Sequence, residues 1–298
     1  MKQSRRSFIK AGGLLASGAA LGSIALKSLA KGSSFDNLFH DSATLKEFGL
    51  QLYTLRADLP KDPKAVLKQV SEFGYKQLEG FEGGKGMFWG MTNKEFDSYV
   101  SSLGMKMISS HCDINKDFDR KAAEAAEIGM KYLICPYVGP QKTADDYKKI
   151  ADKFNEKGDI CKKNGIRFGY HNHNYSFNKL GDVYPQDIFM QNTNPDTVDY
   201  EMDIYWVVAA GQDPIEWLNK YPNRWRLCHI KDRQKGADPK NFDASVDLGT
   251  GSIDFAKIVK TASSKGMKYY IVEQEKYEGT TPLKSAEADA AYLKTFKY

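Results

Sequence analysis

From residue 48 onward the chain alternates between two patterns. Runs of six to eight residues rich in β-branched and aromatic side chains are followed by longer stretches in which apolar positions recur every three or four residues. The first pattern predicts buried strands and the second amphipathic helices. Eight strands are predicted, beginning at Phe48, Tyr75, Met105, Lys131, Ile166, Val198, Trp225 and Met267. Helical patterns fill the intervals, among them 63–73, 93–103, 121–128, 144–164, 253–265 and 283–296. Four helices run out into glycine just before the next strand, at Gly74, Gly104, Gly129 and Gly165, as expected where a helix ends in a left-handed residue. Eight strand–helix pairs with strands apolar on both faces predict a single closed parallel barrel, a (β/α)₈ TIM barrel over residues 48–298. The competing open, doubly wound sheet lacks its glycine fingerprint after the first strand.

The N-terminus changes the picture. Ser4-Arg5-Arg6-Ser7-Phe8-Ile9-Lys10 precedes an apolar, Gly- and Ala-rich stretch ending in Ser28-Leu29-Ala30. This reads as a cleavable twin-arginine signal peptide over 1–30, placing the mature protein in the periplasm or otherwise outside the cytoplasm. The stretch is shorter than a membrane-spanning helix requires, so no membrane association is expected after cleavage. Residues 31–47 are polar and irregular and read as a linker.

Five of the 43 basic residues lie in 1–30, with no acidic ones, so the mature chain holds 38 bases against 38 acids. That balance gives no footprint for nucleic acid. Four cysteines in a chain of this length do not make a disulfide framework, and four partly buried thiols are expected.

In a barrel of this kind chemistry collects where strands end. Glu79, His111, His171, His173, Asp203, His229 and Glu273 fall at predicted strand ends, including every histidine of the mature chain except His40. His171 and His173 are two apart and share a strand face. With Asp203, His229 and Glu273 they make a mixed nitrogen and oxygen set suited to Mn²⁺, Zn²⁺, Co²⁺ or Fe²⁺. Taken singly, a strand-end His is more often a hydrogen-bonded structural residue, and an Asp a helix cap; the joint pattern favours a metal. Lys231 shares the inward face of His229, and either stabilises negative charge on a substrate or pairs with Asp232. Tyr53, Arg56, Phe81, Phe88, Trp89 and Trp206 lie on predicted strand-to-helix loops, where a sugar ring could stack on them or core packing could account for each nearly as well. Gly83-Gly84-Lys85-Gly86 and Gly249-Thr250-Gly251 lack the phosphate-loop pattern and read as flexible loops.

The segments Tyr170-His171-Asn172-His173, Met202-Asp203-Ile204-Tyr205-Trp206, His229-Ile230-Lys231-Asp232, Leu248-Gly249-Thr250-Gly251 and Val272-Glu273-Gln274 resemble the sugar phosphate isomerase/epimerase family of xylose isomerase-like barrels. The resemblance implies one divalent ion, most often Mn²⁺, held by a strand-five Glu and by residues matching Asp203, His229 and Glu273. Here strand five carries His171-Asn172-His173 in place of Glu-Asn-His, a variant similar to inosose dehydratase-like members. His171 is therefore expected at the Glu ligand position and His173 as general base, with Glu273 and Lys231 as further catalytic candidates. Glu79, His111, Trp206 and Arg56 are expected to bind substrate.

The leading expectation is a metal-dependent isomerase or epimerase removing a proton beside the carbonyl of a sugar or polyol. The alternative within that chemistry is a lyase or dehydratase. A non-catalytic sugar-binding barrel and a DNA-cleaving branch rank lower, the latter because the neutral mature chain lacks a basic face. A homo-oligomer remains open.

Overall fold

The computed structural model describes residues 43–298. The predicted signal peptide and the first part of the linker lie outside the described residues. Eight strands close a parallel barrel: β1 (Gly49–Gln51), β2 (Gln77–Phe81), β3 (Lys106–His111), β4 (Tyr132–Cys135), β5 (Arg167–His171), β6 (Val198–Asp203), β7 (Trp225–Ile230) and β8 (Tyr269–Val272). Each hydrogen-bonds its neighbours in chain order, and β8 closes on β1 through Gly49 opposite Ile271. All eight predicted strands are present, each shorter at one or both ends except β6.

The helices follow from caps legible in the sequence. Pro63–Phe73 begins with Pro63 in its first turn and Asp62 accepting the Ala65 amide. Asn93–Ser102 starts with a reciprocal pair, Thr92 capping Glu95 and Glu95 returning the bond. Gly74 adopts φ 100° at the first helix's end, and the same left-handed turn recurs at Gly104, Gly129 and Gly165. One helix departs from expectation: Phe118–Glu127 begins three residues early, because Phe118 is buried and draws the first turn inward. Short helices at Pro185–Asn192, Ile204–Ala209 and Pro214–Lys220 complete the ring. Residues 43–44 pair with the C-terminus, Ala43 exchanging backbone hydrogen bonds with Tyr298, so the final residues of the expected linker are docked.

Inside the barrel, side chains stack in layers. The floor is apolar, with Tyr132, Ile134, Leu227 and Ile271 forming a cluster separate from the core between strands and helices. Below it Asp199 takes bonds from Tyr132 Oη at 2.9 Å and from the Arg167 guanidinium. This plug closes the N-terminal end, leaving polar chemistry to the opposite half. All four cysteines are free and buried, with thiols raised by burial. Among the described residues no helix is long and apolar enough to cross a membrane.

Candidate metal centre and cavity

Two rings of ionisable side chains sit above that floor, stacked along the barrel axis and sharing His229. The deeper ring contains Glu79, His111, Glu201 and His229, all buried. Glu79 Oε1 accepts from Gln51 Nε2 at 2.7 Å and lies 2.7 Å from His229 Nε2, while Ser109 Oγ donates to its other oxygen at 2.6 Å. His111 Nε2 is 2.8 Å from Glu201 Oε2. Burial alone would raise the Glu79 carboxyl, but the His111 and His229 imidazoles pull it down to about 2. Glu201, buried and then repelled by Glu79, moves well above the usual carboxylate range.

The upper ring, His171, Asp203, His229 and Glu273, is built differently. His171 Nδ1 is tied to the Pro136 carbonyl at 3.2 Å, and His229 Nε2 to Glu79 below. Each imidazole therefore turns its second nitrogen into the ring, and these atoms, His171 Nε2 and His229 Nδ1, have no hydrogen-bond partner. Asp203 divides its oxygens: Oδ1 caps the following helix through the Trp206 amide at 3.1 Å, and buried Oδ2 is unpartnered. Asp203 is thus both helix cap and candidate ligand. Asn172 pins it by donating to the Asp203 carbonyl and accepting its amide.

Donor separations test whether an ion fits. Four donors at about 2.1 Å from a tetrahedral ion stand about 3.4 Å apart. In the upper ring His171 Nε2 to Asp203 Oδ2 is 3.5 Å, His229 Nδ1 to Asp203 Oδ2 3.6 Å, and His229 Nδ1 to Glu273 Oε2 3.3 Å. The closest pairs of the deeper ring, at 2.7 and 2.8 Å, are hydrogen bonds with no room for an ion between them. The upper ring fits a divalent metal, and its three orphaned buried atoms are those an ion would satisfy. Burial opposes the charged forms of Asp203 and Glu273, but Lys231, followed by the neighbouring histidines, holds both carboxyls well below their ordinary range.

Above the upper ring opens a cavity of about 560 Å³, lined in part by Tyr53, Phe81, His111, His173, Trp206 and Glu273. β5 ends at His171, so His173 is not a strand residue; it stands at the entry of a short 3-10 turn in extended backbone, φ −122°. Its ring meets His171 edge to face at 4.9 Å and stacks on Trp206 at 5.3 Å. Nδ1 is buried without a partner. Burial, and then the neighbouring His171, push the imidazole well below its ordinary value and favour the neutral form.

Several expected site residues are elsewhere. Glu79 lies mid-strand beneath the cavity with both oxygens engaged, so it orients His229 and is not placed to touch substrate. Arg56 does not line the cavity; its guanidinium is bound to the Tyr53 and Glu275 carbonyls and Tyr277 Oη. Phe88 and Trp89 are core residues. Lys231 is buried beside Glu273 at 3.3 Å and bonded to Glu275, and does not pair with Asp232. Asp232 instead gathers the amides of Gly249, Gly251 and Ile253, so the glycine-rich turn read as flexible is a pinned loop. At Gly251 a Cβ would meet Asp232 Oδ1 at 2.2 Å. Glu201, Asn172 and Tyr137 were missed. For Glu201 the signal was present, since it precedes Asp203 by two residues on the same strand face.

Comparison with known proteins agrees with this architecture. The family described as Xylose isomerase-like TIM barrel matches residues 67–296. A solved sugar phosphate isomerase/epimerase from Parabacteroides distasonis is 33% identical, covering 85% of this chain and 99% of that one, with a TM-score of 0.74. An inosose dehydratase from Lacticaseibacillus casei is 27% identical over 172 residues, 53% of each chain; there the chain spans about half the length of the curated relative it matches. An inosose dehydratase from Geobacillus thermodenitrificans is 26% identical over 258 residues, 80% of this chain and 78% of that one.

Proposed function

The chain belongs to the xylose isomerase-like TIM barrel family, and from that premise we propose that it removes a proton beside the carbonyl of a sugar or polyol and resolves the resulting charge by elimination. The observation that carries the reading is the convergence of three unpartnered buried donor atoms beneath a neutral, unpartnered imidazole. His171, Asp203, His229 and Glu273 would hold one divalent ion, for which we propose Mn²⁺. When bound, such an ion supplies Lewis-acid stabilisation of the negative charge that develops on the carbonyl oxygen. Lys231 sets the charge of Asp203 and Glu273 from behind.

His173 is the general base. A neutral imidazole accepts the carbon-bound proton, and its conjugate acid then protonates the departing hydroxyl on the neighbouring carbon, so the step is balanced and redox-neutral. Outside the ligand set, the other imidazole and the carboxylates lining the cavity are engaged: His111 with Glu201, Glu82 with Lys121, Asp113 with Asn115, and Glu275 with Lys231. One free base on one side suits transfer along a single face. Epimerisation needs a base on each face, and Glu273, the other candidate, lies in the ligand set. The inosose dehydratase relatives support elimination. A second reading, isomerisation with the same base returning the proton to the adjacent carbon, is supported by the Parabacteroides protein. Export by the twin-arginine route is part of the proposal, resting on residues 4–30.

Substrate hydrogen exchange in D₂O tests the base. His173→Ala is expected to retain metal and lose exchange and turnover by about 10²-fold or more. Wild-type exchange persisting in His173→Ala contradicts the assignment.

A further inference from the structure

Among the described residues, the large exposed hydrophobic side chains are Tyr53, Tyr137, Val183 and Phe242. Three of these four stand around the barrel mouth. Tyr53 and Tyr137, 37% and 56% exposed, line the cavity directly, and Phe242 packs on Trp206, which also lines it. Exposed apolar surface gathered in one place marks a binding site more often than it marks chance.

The aromatics form two walls. On one side Tyr53 meets Phe81 edge to face at 5.2 Å, and Phe81 meets buried Trp89 at 4.9 Å. On the other Tyr137 meets His173 at 5.0 Å, and His173 stacks on Trp206. Tyr53 and Phe81 follow β1 and end β2; Tyr137, His173 and Trp206 follow β4, β5 and β6. In the closed strand order, β1 and β2 lie across the axis from β5 and β6. The walls therefore face each other across a slot above the metal ring.

Volume and charge narrow what enters. Ligand-enclosing pockets run from roughly 300 to 1,000 Å³, and a single six-carbon ring needs the low end of that range. About 560 Å³ leaves room for a second ring. The cavity also presents Glu82, Asp113 and Glu275 against the single cation Lys116. The cations nearest these acids, Lys121 and Lys231, are buried behind them and spent on Glu82 and Glu275. A phosphate monoester would meet more carboxylates than cations.

We infer that the outer half of the cavity is a second subsite for a neutral ring presenting an apolar face, so that the substrate is a two-ring glycoside-type molecule and not a free sugar or sugar phosphate. The inference rests on the reading of the inner half as a sugar or polyol site. The second ring is either a pyranose, whose C–H face stacks on aromatics, or an aryl group; the chemistry that recognises them is shared.

Calorimetric titration of the metal-loaded full chain tests this with methyl β-glucopyranoside, phenyl β-glucopyranoside, cellobiose and glucose 6-phosphate as probes. At least one two-ring probe is expected to bind about tenfold more tightly than the methyl glycoside, and glucose 6-phosphate no more tightly than it. Which of the two leads identifies the second ring as aryl or pyranose. Tyr137→Ala and Tyr53→Ala should each cut the preference by about three- to tenfold, and Tyr137→Phe should retain it. Equal binding of all neutral probes, no two-ring binding at millimolar concentration, or tighter binding of the phosphate overturns the inference. Because the readout is binding, deuterium exchange without the two-ring preference defeats this inference alone. The preference without exchange supports it and defeats only the assigned reaction.

Discussion

The two rings inside the barrel are built from the same residue types, two histidines and two carboxylates each, and share His229, yet they are physically opposite. In the deeper ring the polar atoms bond one another, and Glu201 Oε1 is the one carboxylate oxygen left without a partner. In the upper ring three of the atoms that face each other, His171 Nε2, His229 Nδ1 and Asp203 Oδ2, are without a partner, and the donor separations of 3.3 to 3.6 Å match those around a shared ion. A list of buried His, Asp and Glu does not distinguish a scaffold from a metal centre. The hydrogen-bond accounting does, because a buried polar group left without a partner is costly and persists only where something else satisfies it. His229 joins the two: its Nε2 belongs to the closed network and its Nδ1 to the open one.

Substitutions should separate the rings. The largest effect is expected for Asp203→Ala, which removes a ligand and one of the charges awaiting compensation. Metal affinity should fall by well over a hundredfold while the metal-free protein keeps its barrel by circular dichroism. Glu79→Ala should do the reverse, leaving Gln51, Ser109 and His229 Nε2 without their acceptor. About 3 kcal/mol of stability should be lost even without metal, read from urea unfolding, with metal affinity reduced about 10- to 100-fold because His229 is no longer oriented. The smallest effect is expected for Gln51→Ala, which deletes one donor to Glu79: about 1 kcal/mol, with metal content unchanged. Equal stability losses in metal-free Asp203→Ala and Glu79→Ala would erase the distinction.

Much of this was legible in the sequence. Strand positions followed from apolar runs and glycine-ended helices, and the upper ring from the concentration of scarce histidines at strand ends. What was lost depended on reading only those ends. Asp199, Glu201 and Asp203 occupy one inward face of β6 at three depths, as floor plug, closed ring and metal ring, and alternation applied downward from Asp203 would have found Glu201. Glu79 lies one layer too deep to meet substrate: inward side chains recur every second residue, and on β2 it is Phe81, two residues further on, that lines the cavity. Arg56 is different: its partners Glu275 and Tyr277 are more than 200 positions away, and no local pattern announces them. Tyr137 follows Pro136 in a loop without periodicity, so its place on the slot wall comes from closure of the barrel alone.

The central claim is that the open ring, and not the closed one, holds a single divalent ion. Elemental analysis of reconstituted, desalted protein tests it most directly, comparing the wild type with Asp203→Ala and Glu201→Gln. One ion per chain in the wild type, none in Asp203→Ala and one in Glu201→Gln is the predicted result. Two ions in the wild type, none in the wild type, or an ion lost from Glu201→Gln but kept by Asp203→Ala would contradict it.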